Sequence, residues 1–379
     1  MIQTDCRYFN GYKPCGFNDE CSENCPSKSI VSTRILLVHL GAMGAVLRST
    51  ALLKSIRRKY QSSHITWVTD SPSGKLLLNN PYIDQVIEIN NSTAFELENR
   101  EFDIVFCVDK SRKAAGIISK VKYEMAFGFT MDSYTGAIVP INKSAEELWK
   151  IGLSNEIKFH VNRKTENQLV HEALELGKYS RDPYELHLTK SEVELAEDRR
   201  RMWTRGKPIV GINTGCADVI PYKKLSISGH RQLIAEIQSR LDVQIVLLGG
   251  PAEEHRNADI ARGLRVYQSP VDQGLRDGLV SMSACDVVIS GDSLGMHMAI
   301  ALKKWTVAWF GPTCAHEIDL YDRGYKALSK VACSPCWKRS CNKPEMCYDY
   351  VDFSEVVNGV KEGIEGIVQD VIEEGLCKI

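Results

Sequence analysis

At 379 residues with a formal net charge of −1, the chain is long enough for two domains with separate cores and carries no global charge to recruit nucleic acid. Its 44% hydrophobic and 25% charged residues fit a globular protein in water, and no window reaches the run of about 18 apolar residues that a membrane span requires. The opening MIQTDCRYFNGYKPC lacks the apolar stretch of a secretory signal, so a cytoplasmic protein is expected.

In chain order, a cysteine-rich segment comes first: Cys6, Cys15, Cys21 and Cys25 crowd the first 25 residues. Short apolar runs then alternate with amphipathic stretches. RILLVHL (34–40) reads as a buried strand, followed by a glycine-containing turn and a helix over about 46–60. HITWVT (64–69), DQVIEI (84–89), DIVFCV (103–108) and YEMAFGF (123–129) are further strand candidates. The pattern weakens over 130–190, first helical and then linker-like, and restarts with KPIVGIN (207–213), a helix near 229–240, VQIVLLGG (243–250), DVVIS (286–290) and WTVAWFG (305–311). Apolar residues from Val356 to Val371 recur at helical spacing and predict a closing helix. This alternation predicts an α/β protein of two Rossmann-like domains facing across a cleft. The expected divisions are a Cys-rich segment (1–32), an N-terminal domain (33–185), a C-terminal domain with a Cys finger at 333–347 (186–352), and the helix (353–379).

Three segments carry chemistry. In DVVISGDSLGMHMAIAL (286–302) a strand runs through Gly291 into a helix expected near Leu294, with Asp292 or Ser293 as N-cap. Such a helix start suits a diphosphate; Gly295 allows close approach and His297 adds a donor. In KPIVGINTGCADVIPYKKLS (207–226) a strand ends at Asn213-Thr214-Gly215, and a loop presents Lys223 and Lys224. A lysine there would offset charge on a leaving diphosphate. In RILLVHLGAMGAVLRS the glycines Gly41 and Gly44 are not spaced as a dinucleotide fingerprint, which argues against NAD.

Together with LLGGPAEEH (247–255) and WFGPT (309–313), these segments resemble the bacterial heptosyltransferases, glycosyltransferase family 9, over about residues 33–360. The resemblance implies the GT-B fold and inverting transfer of a heptose or related sugar from an ADP-activated donor. The implied acceptor is a lipopolysaccharide-core sugar at the inner membrane face or a protein side chain. It implies a donor site of Thr214, Gly215, Lys223, Glu253 (with Glu254 as its neighbouring rival), Asp292, Ser293, Gly295 and His297. On the acceptor side it matches Gly44, Ala45 and Arg48, but the family's base aspartate is Ala45 here. Asp109 is the preferred replacement base and Asp70 the other candidate; the alternative is a catalytically silent nucleotide-sugar-binding member.

Cys333, Cys336, Cys341 and Cys347 are spaced to converge on one centre, and clustered cysteines in a reducing compartment point to metal before disulfides. The resemblance to the autotransporter heptosyltransferases, which hold iron in a Cys-rich finger, sets iron or an iron–sulfur cluster beside zinc. The set Cys6, Cys15, Cys21 and Cys25 forms a second centre, shares ligands with the first, or lies in a disordered prefix. Either centre would be structural, since sugar transfer needs no redox cofactor. A metal sensor with α/β halves as mere support is the remaining reading.

Overall fold

The computed structural model describes residues 4–376, with side chains to 366. The chain divides into two compact units, one running to Ile157 with Glu166–Glu185 added, the other made of Lys158–Thr165 and the chain from Leu186 onward.

In the first unit β1 (Thr33–Val38), β2 (Ser63–Thr69), β3 (Gln85–Glu88), β4 (Glu101–Cys107), β5 (Lys122–Met131) and β6 (Ile138–Pro140) form one sheet in the order β3-β2-β1-β4-β5-β6. All neighbours are parallel except β5 and β6. The run Ile35–Val38 is wholly buried because helices cover both faces of a parallel sheet. Alternate residues serve alternate faces: Ile35 and Leu37 join Trp67 and Phe106 in one core, Leu36 and Val38 join Val68 and Val105 in the other. The helices are α1 (Met43–Ser49), α2 (Leu52–Lys59), α3 (Thr93–Glu98), α4 (Arg112–Ile118), α5 (Glu146–Leu153) and α6 (Glu166–Ala173).

One expectation is corrected here. The single helix over 46–60 is two helices, and the first begins at Met43, so Gly44 and Ala45 lie in its first turn rather than in a loop. The break falls at Thr50, whose hydroxyl bonds back to the Leu47 carbonyl (2.6 Å) and accepts the Glu185 N–H (2.8 Å).

The second unit repeats the plan with all strands parallel: β7 (Ile209–Asn213), β8 (Gln244–Leu248), β9 (Tyr267–Gln268), β10 (Val287–Gly291), β11 (Trp305–Phe310) and β12 (Gly324–Leu328), ordered β12-β11-β10-β7-β8-β9. Counted from its own first strand this is the same order as in the first unit. Each sheet therefore has a switch point between its first and fourth strands, β1/β4 and β7/β10, where ligands of such folds bind at the strands' C-terminal ends. The helices are α7 (Lys190–Thr204), α8 (Ile227–Arg240), α9 (Glu254–Ala261), α10 (Leu275–Ser283), α11 (Leu294–Ala301) and α12 (Phe353–Leu376). Helix α12 buries Val356, Val357 and Val360 in this unit's core; the expected apolar positions Val368 and Val371 and residues 377–379 lie outside the described side chains and backbone. Among the described residues no helix is long and apolar enough to cross a membrane.

Candidate active site

In the second unit, Asn213 ends β7 and Gly291 ends β10, the pair at the switch point. The Asn213 side-chain nitrogen lies 3.1 Å from Ser290 Oγ, 3.0 Å from Ser293 Oγ and 2.9 Å from the Gly215 carbonyl, so one amide ties both strand ends to the start of α11. Two glycines make this approach possible. A Cβ on Gly295 would lie 2.5 Å from the Asn213 amide carbon, and one on Gly291 would lie 2.0 Å from the Lys223 carbonyl oxygen. The glycine at 291 therefore lets the turn Pro221–Lys223 close on the end of β10.

That closure sets the charges. Lys223 Nζ is 3.9 Å from one oxygen of Asp292 and His297 Nε2 is 4.0 Å from the other. Ser293 occupies the N-cap position of α11, as expected, but makes no capping hydrogen bond; its hydroxyl faces Asn213 and Ser290 instead. The first-turn N–H groups of α11 are thus left without a side-chain cap at the positive end of the helix dipole, beside a lysine, which suits an anion.

Glu253 is the glutamate at this edge. Its carboxylate accepts the Gly250 N–H (2.9 Å) and lies so close to Gly215 that a Cβ there would be 2.3 Å from its carboxyl carbon. Glu254 is exposed at the start of α9. Thr214 is fully buried, and its hydroxyl lies 3.2 Å from the Leu248 carbonyl and 2.5 Å from Asn257 Oδ1. Two residues escaped the sequence reading. Arg256 donates to the Thr214 carbonyl (3.1 Å) and to that of Leu225, bracing the lysine loop, and Thr313 keeps a buried hydroxyl with no hydrogen-bond partner among the described residues. Arg256 has no local signature, because its partners are remote in sequence.

In the first unit the strand ends carry a different set. His39, just past β1, is buried with Nδ1 2.8 Å from Ser49 Oγ. Burial holds its pKa down to about 4, outweighing the opposing pull of Asp109. Asp109, just past β4, accepts the Leu40 N–H at 3.0 Å and is half-buried. Arg48 pairs with Glu166 at 2.8 Å, with Lys110 at 3.9 Å from the same carboxylate, and all four charges act on His39. Glu166 is a carboxylate at this end that sequence reasoning missed. Asp70, just past β2, is half-exposed and is held by Lys113 at 2.5 Å. The first turn of α1, where Ala45 lies, contains no acidic residue.

The late cysteines pack onto the loops around Tyr222 and Pro312 in the second unit. Cys336 and Trp337 both donate their N–H to the Pro312 carbonyl (3.0 and 2.8 Å), and Cys341 donates its N–H to the Tyr222 hydroxyl (2.7 Å). Cys347 Sγ is 3.9 Å from the carbonyl of Tyr222, the residue before Lys223. Burial pushes the Cys347 thiol up to about 11, and Cys336, Cys333 and Cys341 act in the same direction. Four cysteines at this spacing offer the ligand set of a thiophilic cation. Among the described residues, however, the one group of three or more metal-ligating side chains with ligand atoms all within 4.8 Å is Cys314, His316 and Glu317. Lys158 already serves that group, its carbonyl 3.1 Å from His316 Nε2 and its ammonium 3.7 Å from Glu317.

The profile of glycosyltransferase family 9 (heptosyltransferase) matches residues 92–347. Lipopolysaccharide heptosyltransferase 1 of Campylobacter coli is 21% identical over 356 residues, covering 87% of this chain and 98% of that protein. The solved family 9 glycosyl transferase of Veillonella parvula superposes with a TM-score of 0.72 at 17% identity, over 89% of this chain and 98% of that one. The dodecameric iron-containing heptosyltransferase TibC of enterotoxigenic E. coli, in complex with ADP-D-beta-D-heptose, gives 0.51 at 11% identity, over 88% and 77%.

Proposed function

We propose, from the premise that the chain belongs to glycosyltransferase family 9, the heptosyltransferase family, that it moves a heptose or related sugar from an ADP-activated donor with inversion. The observation that carries this reading is the flanking of Asp292 by Lys223 and His297 at the uncapped start of α11. The donor diphosphate sits on the first-turn N–H groups of α11, and Glu253 takes the ribose hydroxyls. As the bond from the anomeric carbon to the phosphate oxygen breaks, ADP leaves with the electron pair and Lys223 offsets its growing charge. The acceptor hydroxyl gives its proton to Asp109 as its oxygen bonds the anomeric carbon from the opposite face, which inverts it.

The relatives' names support this substrate class: one is a lipopolysaccharide heptosyltransferase and another was solved with ADP-D-beta-D-heptose. The acceptor is a lipopolysaccharide-core sugar met at the inner face of the membrane, or a protein side chain, and the work is done in the cytoplasm. The finger Cys333, Cys336, Cys341 and Cys347 would hold iron, an iron–sulfur cluster or zinc, a reading supported by the iron of TibC. Such a centre would cross-link the finger and brace Tyr222, and through it Lys223.

Calorimetry with ADP on the intact protein and on Lys223→Ala tests the donor site. Weaker binding by the variant is expected; equal affinity overturns the phosphate contact. The second reading, a nucleotide-sugar-binding protein without turnover, is favoured by Ala45 alone. It prevails if ADP binds as expected but no acceptor supports release of ADP from ADP-heptose.

A further inference from the structure

The N-terminal cysteine segment lies outside everything described so far. From residue 4 to residue 32 no residue is fully buried, and the sole regular feature is one antiparallel bridge between Cys6 and Ile30. Fixing a chain costs backbone entropy at every residue, and segments without a core usually offset this with disulfides or metal. The cysteines of this segment are free thiols.

What the segment does have is a pocket, open to solvent, lined by all four of its cysteines together with Lys13, Lys28 and Glu20. Asn18 donates to Cys25 Sγ at 3.2 Å, and the Ser29 N–H donates to Cys6 Sγ at 3.5 Å. Donors aimed at sulfur, with two lysines against one glutamate on the wall, favour thiolate. A single tetrahedral ion bound at about 2.3 Å would draw its sulfurs to within about 4 Å of one another. Here no three of the four meet even a 4.8 Å limit, so the thiols ring a space instead of meeting at a point. Four thiolates set apart around a cavity are the ligand arrangement of an iron–sulfur cluster rather than of one ion.

We propose that Cys6, Cys15, Cys21 and Cys25 ligate an iron–sulfur cluster, separate from any metal in the late finger. Its place in the fold gives its role. Arg7 donates to the Ser63 carbonyl (3.0 Å) and lies 3.5 Å from Asp84, and Arg34 donates to the Thr4 carbonyl (3.3 Å). Ser63 opens β2 and Asp84 immediately precedes β3, so the segment docks at the N-terminal ends of the strands, away from His39 and Asp109 at the opposite ends of β1 and β4. The cluster is therefore structural, stapling residues 4–32 to the first unit.

The test uses the full-length protein purified without oxygen, with iron, acid-labile sulfide and zinc measured per chain and thiol alkylation read peptide by peptide. The expected result is that the four N-terminal cysteines resist alkylation until a chelator is added. Cys15→Ser with Cys21→Ser should lose the cluster's iron and sulfide, while Cys336→Ser leaves that share in place. ADP affinity should be unchanged in the N-terminal variant, which separates this result from failure of the donor-site reading. Should that variant fold poorly, alkylation of the intact protein still decides. N-terminal thiols that react freely before chelation, that are found as disulfides, or that hold zinc or a single iron without sulfide overturn the proposal.

Discussion

The two units share one strand order and furnish its switch point in opposite ways. At β7/β10 the chain places glycines, an uncapped helix start and Lys223, a geometry for receiving negative charge. At β1/β4 it places carboxylates, Asp109 and Glu166, around a histidine that burial keeps neutral. The same topology thus sets a helix start and a lysine at one switch point and carboxylates at the other, which under the proposed function serve as anion receiver and proton acceptor. The difference rests on a few residues at and after the strand ends and on nearby helix starts, because the central runs of the inner strands are apolar in both units. Fold and chemistry are separable here: the runs within the sheets specify the architecture, and the residues after them specify the task.

The sharpest way to break this comparison is to remove the proton acceptor. Asp109→Asn keeps the shape and a hydrogen-bond acceptor for the Leu40 N–H but cannot take a proton. General-base assistance is worth about 10²–10⁴-fold, so turnover should fall by that factor while ADP affinity, a property of the other unit, stays constant. Asp70→Asn, at a half-exposed carboxylate paired with Lys113, should leave turnover near its starting value. The reverse ranking would move the base to Asp70.

A likeness between the units is testable by pH. His39 in the first and His230 in the second are both held to about 4 by burial, against an ordinary value of 6.5. Between those values the unfolded chain binds a proton at each position and the folded chain does not, so stability falls as pH drops from 6.5 toward 4 and levels below it. Each histidine should account for up to about 3 kcal/mol of that loss. Denaturant titrations from pH 7 to pH 4 should show a shallower decline for His39→Asn than for the parent. An unchanged decline would mean that His39 is charged in the fold.

How much of this was legible in the sequence follows from distance along the chain. Strands written as unbroken apolar runs, such as Leu36–Val38 in β1 and Ile245–Leu248 in β8, announce themselves. The short or half-exposed β6, β9 and β12 do not, since β9 has two residues and β12 reads GYKAL. The start of α1 was hidden by glycines at 41 and 44 and by the lack of a capping side chain. The contiguous Gly-Asp-Ser-Leu-Gly-x-His segment was readable as a site because one turn and one helix hold all of it. Arg256 and Glu166 matter through remote partners, so nothing beside them in sequence marks them. Asn213 stood in the readable Asn-Thr-Gly run, but its ties to Ser290 and Ser293 are remote.

The glycine at 291 sharpens the account of the anion receiver. A methyl there would lie 2.0 Å from the Lys223 carbonyl, which is backbone and cannot swing aside. Gly291→Ala should therefore displace the lysine turn at a stability loss of about 1–3 kcal/mol, read in denaturant, with weaker ADP binding in calorimetry. Loss of stability with full ADP affinity would show that the turn's position does not set the donor site.

The smallest effect expected belongs to Ala45. It is the third residue of α1, half-buried, in a first turn without acidic residues or a capping side chain. A carboxylate there faces the positive end of a helix, so Ala45→Asp should raise stability by about 0.3–1 kcal/mol through the dipole alone. Its effect on turnover is the informative part. If Asp109 takes the acceptor proton, a second carboxylate has no proton left to remove and the rate should stay near that of the parent. If the first unit lacks a working base, the same substitution supplies one and the rate should climb toward the 10²–10⁴-fold that such a group contributes. Introducing it into Asp109→Asn separates the cases further. Rescue there, with no gain in the parent, would mean that two positions can serve one proton and that the chain has moved its base from a helix start to a strand end.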